Sequence, residues 1–379
     1  MKAIVAMSGG VDSSVAAYLL QKQGFEVIGL SFELWDSRDL EKSSVCCSIE
    51  TINLAKSVAD HLGIKHFTVD VRDAFYKYVI EDFCESYIKG LTPNPCILCN
   101  KYIKFDFLLK KADELGADII ATGHYARIEA VERRASDVGR EKINDEQRPL
   151  LYARRSTLDA RRFLLMKGVD SIKDQSYALY VMKQEELART VFPIGGMKKE
   201  ETRRIAKELG LATALRAESQ EICFVGNDKY GDFLKSFSPE ALQPGPILDT
   251  SGKVIGEHRG IAFYTIGQRK GLGIYSPEPS YVAEIDRESN TIVVGSRKDA
   301  MGKTFKVKNL NWLSIDSLDK PINANVKMRS TMQEKSASIS PLDNNRVMVA
   351  YDEMQWAPAS GQSAVFYSGD IVIGGGTIE

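Results

Sequence analysis

The sequence predicts an α/β chain. It should form a parallel sheet covered on both faces, then a small β-rich central domain, then a C-terminal antiparallel β-barrel. Three observations carry this. Short apolar strands alternate with amphipathic helices from the N-terminus to about residue 125, the pattern of a parallel sheet. The first strand runs directly into the glycine pair Gly9–Gly10. From about Met301 short alternating strands dominate, as in an antiparallel barrel.

Taken in order, residues 1–6 read as a buried strand, and Val11, Val15 and Leu19 recur at helical spacing before a stop at Gly24. "FEVIGLSF" (25–32) is a second strand. Ile52, Ala55, Ala59 and Leu62 form one helical face that ends at Gly63, and "KHFTVDV" gives a third strand. Residues 73–89 read as a helix. Phe105, Leu108, Ala112 and Leu115 mark another, closed by Gly116, and "ADIIATGH" is a fourth strand. Residues 129–149 are mostly charged and polar with no period, a solvent excursion between two strands. Helical patterning returns over 175–189 and 199–209. After about Asn227, Gly and Pro punctuate short segments, so the expected domains are 1–226, 227–300 and 301–379.

A length of 379 residues calls for two or three domains, and 44% hydrophobic with 27% charged residues is a globular composition. A formal net charge of −1 gives no global attraction to a polyanion, so any such partner must be held by local patches. Candidates are Arg154, Arg155, Arg161 and Arg162, the run Lys198, Lys199, Arg203, Arg204 and Lys207, and Arg269 with Lys270. A solvated surface explains each cluster equally well. No apolar run approaches the ~20 residues of a membrane helix. The N-terminus enters the first strand at once, leaving no targeting segment, so a cytoplasmic location and no membrane partner are expected. The cysteines at 46, 47, 84, 96, 99 and 223 then suit catalysis or metal binding better than a disulfide framework.

"SGGVDSS" follows the first strand and opens a helix, which points to an anion at the helix start. It lacks the lysine of GxxxxGK and the third glycine of a dinucleotide fingerprint. Backbone amides and hydroxyls would therefore hold phosphate, with Asp12 helping to place Mg²⁺; an ordinary strand-to-helix turn is the competing reading. In parallel sheets ligands sit beyond the C-terminal strand ends, where Ser8, Gly9, Phe32 and Gly123 fall. "TPNPCILCNKYIKF" (92–105) places Cys96 and Cys99 in a proline-opened loop. A helix start and nearby lysines would stabilise the Cys99 thiolate. "ESQEICFVG" carries Cys223 far along the chain. A thiolate can carry sulfur as a persulfide. Buried small hydrophobes are the plain alternative, above all for Cys84, Cys46 and Cys47. Zinc lacks a second ligand pair. A 4Fe-4S cluster on Cys96, Cys99 and Cys223, with its fourth site open, stays possible on composition. His124, at a strand end, reads equally as a packed group or a ligand contact.

The loop resembles that of the N-type ATP pyrophosphatases (PP-loop), which adenylate a carbonyl or carboxyl oxygen and release pyrophosphate. In order along the chain stand "AMSGGVDSSVAA", "VCCS", "TPNPCILCNKYIKF", "ATGHYAR", "KDQSYALY", "FPIGGMKKEETRRIAKELGL", "SQEICFVG", "YTIGQRKGLGI" and "GQSAVFYSGDIVIGGG". With these the chain resembles the bacterial tRNA-specific 2-thiouridylase (MnmA) family over essentially its whole length. The resemblance implies an adenine-nucleotide α-hydrolase-like first domain. It also implies ATP-dependent activation of the C2 oxygen of the anticodon wobble uridine and its replacement by persulfide sulfur. Ala6, Met7, Ser8, Gly9, Gly10, Val11, Asp12 and Ser13, with Phe32 and Gly123, would hold ATP. Asn94, Pro95 and Cys96 would meet the flipped base. His124, Lys173, Asp174, Gln175, Arg329, Ser330 and Gln362 would contact tRNA. Cys99 matches the nucleophile and Cys223 the persulfide carrier. The implied partners are tRNAs for Lys, Glu and Gln and a persulfide donor, either a cysteine desulfurase or a relay protein. Three positions depart from the usual pattern: Cys96 where many members have aspartate, Phe32 where methionine is usual, and Ser330 where tyrosine is usual. A small-molecule adenylating ligase on the same loop and an RNA-binding or iron–sulfur carrier protein are the rival readings.

Overall fold

The computed structural model describes residues 1–34, 49–132, 161–216, 222–225, 230–237, 242–343 and 345–379. Cys46, Cys47, Arg154, Arg155 and most of the charged stretch 129–149 lie outside these residues.

The first part of the chain supplies β1 (Lys2–Ala6), β2 (Glu26–Glu33), β3 (Lys65–Asp70), β4 (Ile119–Ala121), β5 (Ala126–Glu132), β6 (Arg161–Lys167) and β7 (Thr190–Val191). Five of these form a sheet in the order β3-β2-β1-β4-β7, every pairing parallel. The apolar run of β1 is buried on both faces because helices cover both, and Ala3, Ile4 and Val5 are 0% exposed. The Val11–Lys22 helix starts after Gly10, which is extended at φ −95° and ψ 161°, and it buries Val15, Ala16, Ala17 and Leu20. Gly9 is required: its φ is +68°, and a Cβ there would lie 2.3 Å from the Thr51 carbonyl oxygen.

Several elements differ from the sequence pattern. The fourth strand keeps only Ile119–Ala121, because the chain leaves the sheet at once to build β5. The helix expected over 73–89 is Arg72–Phe75, a π-helical turn Tyr76–Ile80 and Glu81–Ile88. A second π-helical turn, Asn100–Lys104, joins the Pro95–Cys99 and Phe105–Leu115 helices. The helical stretch 175–189 divides into Ser176–Leu179 and Gln184–Arg189 and runs into β7, whose two residues are too few to show a period.

The middle of the chain forms β8 (Gly245–Asp249), β9 (Val254–His258), β10 (Tyr281–Asp286) and β11 (Thr291–Gly295), ordered β10-β11-β8-β9 around Ile247, Val282 and Ile292. Then come β12 (Met301–Trp312), β13 (Ile322–Lys327), β14 (Lys335–Asp343), β15 (Arg346–Trp356), β16 (Ser363–Ser368) and β17 (Ile371–Ile378). They run antiparallel as β12-β15-β14-β13-β16-β17, and β12 pairs with β17 to close the barrel, which removes the sheet edges. β6 pairs with β17, so the β5–β6 pair extends the barrel sheet although it precedes it by more than a hundred residues.

The barrel is tied to the first part by specific bonds. The Thr92 amide donates to Ser360 O at 2.8 Å, and Gln362 Nε2 donates to Thr92 O at 2.8 Å. The buried Tyr177 hydroxyl lies 3.0 and 2.9 Å from the carbonyl oxygens of Met328 and Ser363. These contacts fix the loop that carries Pro95 and Cys96 against the barrel.

Candidate active site

Beyond the C-terminal ends of β1, β2 and β4 the chain encloses a cavity of about 410 Å³. Its wall holds Ala6, Met7, Ser8, Gly10, Val11, Asp12 and Ser13 of the glycine loop, together with Phe32, Gly123 and His124. Pro95, Cys96, Cys99, Lys173, Gln175 and Cys223 line the same space. Loop and distant thiols thus open onto one chamber.

The loop is braced from within. The Ser8 amide donates to Ser13 Oγ at 3.2 Å, and the Ser13 and Ser14 hydroxyls donate to Gly10 O at 3.1 and 2.9 Å. A Cβ on Gly123 would lie 2.6 Å from Ser13 N and 2.7 Å from Asp12 C, so only glycine lets the end of β4 pack on the first helical turn. Asp12 is the electrostatic centre. Lys199 Nζ donates to its two oxygens at 2.7 and 2.8 Å, and the Tyr125 hydroxyl donates to Oδ1 at 2.9 Å. Burial pushes the Tyr125 phenol well up, so it stays a proton donor. Gln175 Oε1 accepts from Tyr125 N at 2.9 Å and holds that tyrosine in place. Arg216 Nη1 donates to Gly9 O at 2.8 Å, and Lys199 and Arg216 both face the cavity.

The sequence did not reveal these two cations as partners of the glycine loop. Lys199 was visible only as part of a basic run, and Arg216 carried no signal. A glycine loop without its own lysine nevertheless acquires one from the start of the Lys199–Glu208 helix.

The thiols differ sharply in surroundings. Cys84 is 0% exposed, and burial pushes its thiol up to about 12, which makes it an inert core group as expected. Cys96 is exposed in the first turn of the Pro95–Cys99 helix, whereas Cys99 is its last residue and buried. The helix starts at Pro95, so it is Cys96 that stands in its first turn, with Cys99 one turn further in; Lys104 lines the same cavity as both. Cys223 is half-buried beside Phe224, whose ring packs edge-on against Phe75 and Phe83. None of these four cysteines is in a disulfide. Among the described residues, no three His, Cys, Asp or Glu side chains stand close enough together to hold a metal ion. Cys96, Cys99 and Cys223 share the cavity but do not form a ligand set for a 4Fe-4S cluster.

Comparison with known proteins decides the family. The model described as the tRNA methyl transferase HUP domain matches residues 1–227, that of the tRNA methyl transferase PRC-barrel domain residues 231–296, and that of the aminomethyltransferase beta-barrel domain residues 302–378. The tRNA-specific 2-thiouridylase MnmA 1 of Thermoanaerobacter pseudethanolicus is 45% identical over 100% of this chain and 98% of its own. The MnmA of Acetivibrio thermocellus is 44% identical over 100% of this chain and 99% of its own. That of Clostridioides difficile is 43% identical over 100% and 98%. The chain belongs to the MnmA family.

The positions that the MnmA resemblance singled out divide into two groups. Those on the cavity wall include His124, whose Nδ1 lies 2.6 Å from Thr122 Oγ1 and whose ring packs against Phe105 and Phe192. Burial, with Lys104 adding to it, pushes this imidazole down to about 3, so it is neutral and offers a hydrogen bond or a flat face. Off the wall, Asn94 precedes the Pro95–Cys99 helix. Asp174 accepts from the amides of Gly168 and Ser176 and from the Ser176 hydroxyl, at 3.0, 3.1 and 2.9 Å. Arg329 donates to Ile266 O and Ala357 O at 3.4 and 3.1 Å, Ser330 is exposed beside it, and Gln362 bonds Thr92. Among the described residues no helix is long and apolar enough to cross a membrane.

Proposed function

We propose that this chain is an ATP-dependent tRNA-uridine 2-sulfurtransferase that makes 2-thiouridine at the anticodon wobble position. One observation carries the reading: the glycine loop, Cys99 and Cys223 all line one cavity. A polynucleotide base must leave its stack to enter such a chamber, where Pro95, Cys96 and neutral His124 would receive it. The uridine C2 oxygen attacks the α-phosphorus of ATP and expels pyrophosphate. The Ser8–Ser13 amides and hydroxyls, Lys199 and Arg216 stabilise the charge that develops. Asp12, whose Oδ2 accepts from Lys199 while Oδ1 accepts from Lys199 and Tyr125, would offer a carboxylate oxygen to a Mg²⁺, which would supply charge neutralisation to the phosphates.

The terminal sulfur of a Cys223 persulfide attacks C2, and AMP departs with the former C2 oxygen. The Cys99 thiolate then attacks Cys223 Sγ. The sulfur–sulfur bond to the base breaks, C2 keeps its sulfur, and a Cys99–Cys223 disulfide remains for an external dithiol to reduce. In this reading 1–226 is the catalytic domain, 227–300 the central one and 301–379 the barrel that grips the tRNA body with Arg329, Ser330 and Gln362. The partners are tRNAs for Lys, Glu and Gln and a cysteine desulfurase or relay protein, in the cytoplasm. Mass spectrometry of tRNA nucleosides after incubation with ATP and a persulfide donor tests it. 2-Thiouridine should form only with ATP present. Pyrophosphate release driven by a small substrate without RNA would favour the ligase reading instead.

A further inference from the structure

Two exposed tyrosines stand on the π-helical turns that frame the Cys96–Cys99 helix, and nothing in the chemistry above uses them. Tyr78 and Tyr102 are 41% and 37% exposed, and their rings stack at 5.0 Å between centroids and 24° between planes. Lys77 Nζ lies 5.6 Å from the Tyr78 ring centre, and Lys101 Nζ lies 4.9 Å from that of Tyr102. The two turns, "YKYVI" and "NKYIK", carry three lysines and no acid. Their inner side is the active site, since Val79 and Lys104 from the same turns line the cavity. The aromatic pair is therefore the outward continuation of the chamber's rim.

Exposed paired aromatics flanked by ammonium groups have the composition of a surface that reads unstacked nucleotides. Rings offer faces to bases, and lysines meet the phosphates between them. A base drawn into the cavity leaves its neighbours unstacked at that rim. We propose that Tyr78 and Tyr102, with Lys77 and Lys101, form a docking platform for the single-stranded nucleotides that flank the target base. This rests on the tRNA reading above. Charge favours RNA over a protein partner here, because the residues beside the two rings on these turns are lysines and neither turn carries an acid.

The test measures tRNA affinity of the full-length chain without ATP. Tyr78→Ala with Tyr102→Ala should weaken binding about tenfold, while the paired Tyr→Phe variants stay within about twofold of the parent. Lys77→Ser with Lys101→Ser, which leaves the stack in place, should lower the slope of log affinity against log salt by roughly 1.4. ATP affinity should not change in either set. Unchanged tRNA affinity and salt slope in these variants, with the parent binding tRNA normally, would overturn the platform alone. So would reduced sulfur delivery to Cys223 at unchanged tRNA affinity, which would assign the surface to the protein donor. A parent chain that binds no tRNA would overturn the functional reading and this inference together.

Discussion

Lys199 Nζ reaches both carboxylate oxygens of Asp12, at 2.7 and 2.8 Å, across 187 residues of chain. Lys199 is only 8% exposed, so this ammonium is committed to the glycine loop rather than to solvent. The pair ties the start of the Lys199–Glu208 helix to the glycine loop. Lys199→Met should slow pyrophosphate release about a hundredfold or more, the scale of losing one preorganised charge-stabilising donor. Lys199→Arg should keep a larger share of the rate. The lost charged hydrogen bonds should cost about 1.5–3 kcal/mol of stability, read by denaturant unfolding. A pyrophosphate-release rate unchanged in Lys199→Met would remove the lysine from the chemistry.

The thiols separate by burial and by place. Cys99→Ser and Cys223→Ser should each abolish thiolation while leaving tRNA affinity nearly intact. Cys84→Ala should retain activity and lose about 1 kcal/mol through the small cavity it leaves. Single-turnover thiolation assays and filter binding on the three variants check this. Near-normal product from either Ser variant would contradict the assignment.

Glycine at 123 is a steric requirement. Gly123→Ala drives a Cβ into the backbone of Asp12 and Ser13, so it should weaken ATP binding at least tenfold by displacing the phosphate loop. Gly196, with nothing within 4 Å of a built Cβ, supplies the control, and Gly196→Ala should bind ATP normally. Calorimetric titration with ATP distinguishes the two.

The His124 imidazole is held down to about 3, whereas an unfolded chain protonates it near 6.5. On acidification the unfolded state takes up this proton first. Stability is therefore full above pH 6.5 and falls as the pH drops toward 3, by up to about 1.4 kcal/mol per pH unit from this group. Urea unfolding at several pH values should show that slope reduced in His124→Asn. Between pH 5 and 8, tRNA affinity of the parent and of His124→Asn should follow parallel pH profiles.

Much of this site was legible before the fold was. The first strand, the glycine pair and the helix after them lie within one local pattern, and each cysteine loop carries its own flanking signals. Lys199 and Arg216 were not legible as loop partners, because their contacts join segments with no common period. The charged stretch 129–149 read as an excursion between two strands, but which sheet those strands join was not legible, because the pairing of β6 to β17 depends on a strand more than two hundred residues later. The two π-helical turns were not legible, since each is a single turn set inside a longer helical stretch, too short to show a period of its own. Local chemistry was readable, and long-range convergence was not.

The central claim is that the uridine C2 oxygen leaves as part of AMP. A tRNA carrying ¹⁸O at C2 of the wobble uridine tests it most directly, by mass spectrometry of the AMP released during thiolation. The AMP should carry the label, one ¹⁸O for each 2-thiouridine formed. Unlabelled AMP alongside thiolated tRNA would contradict it.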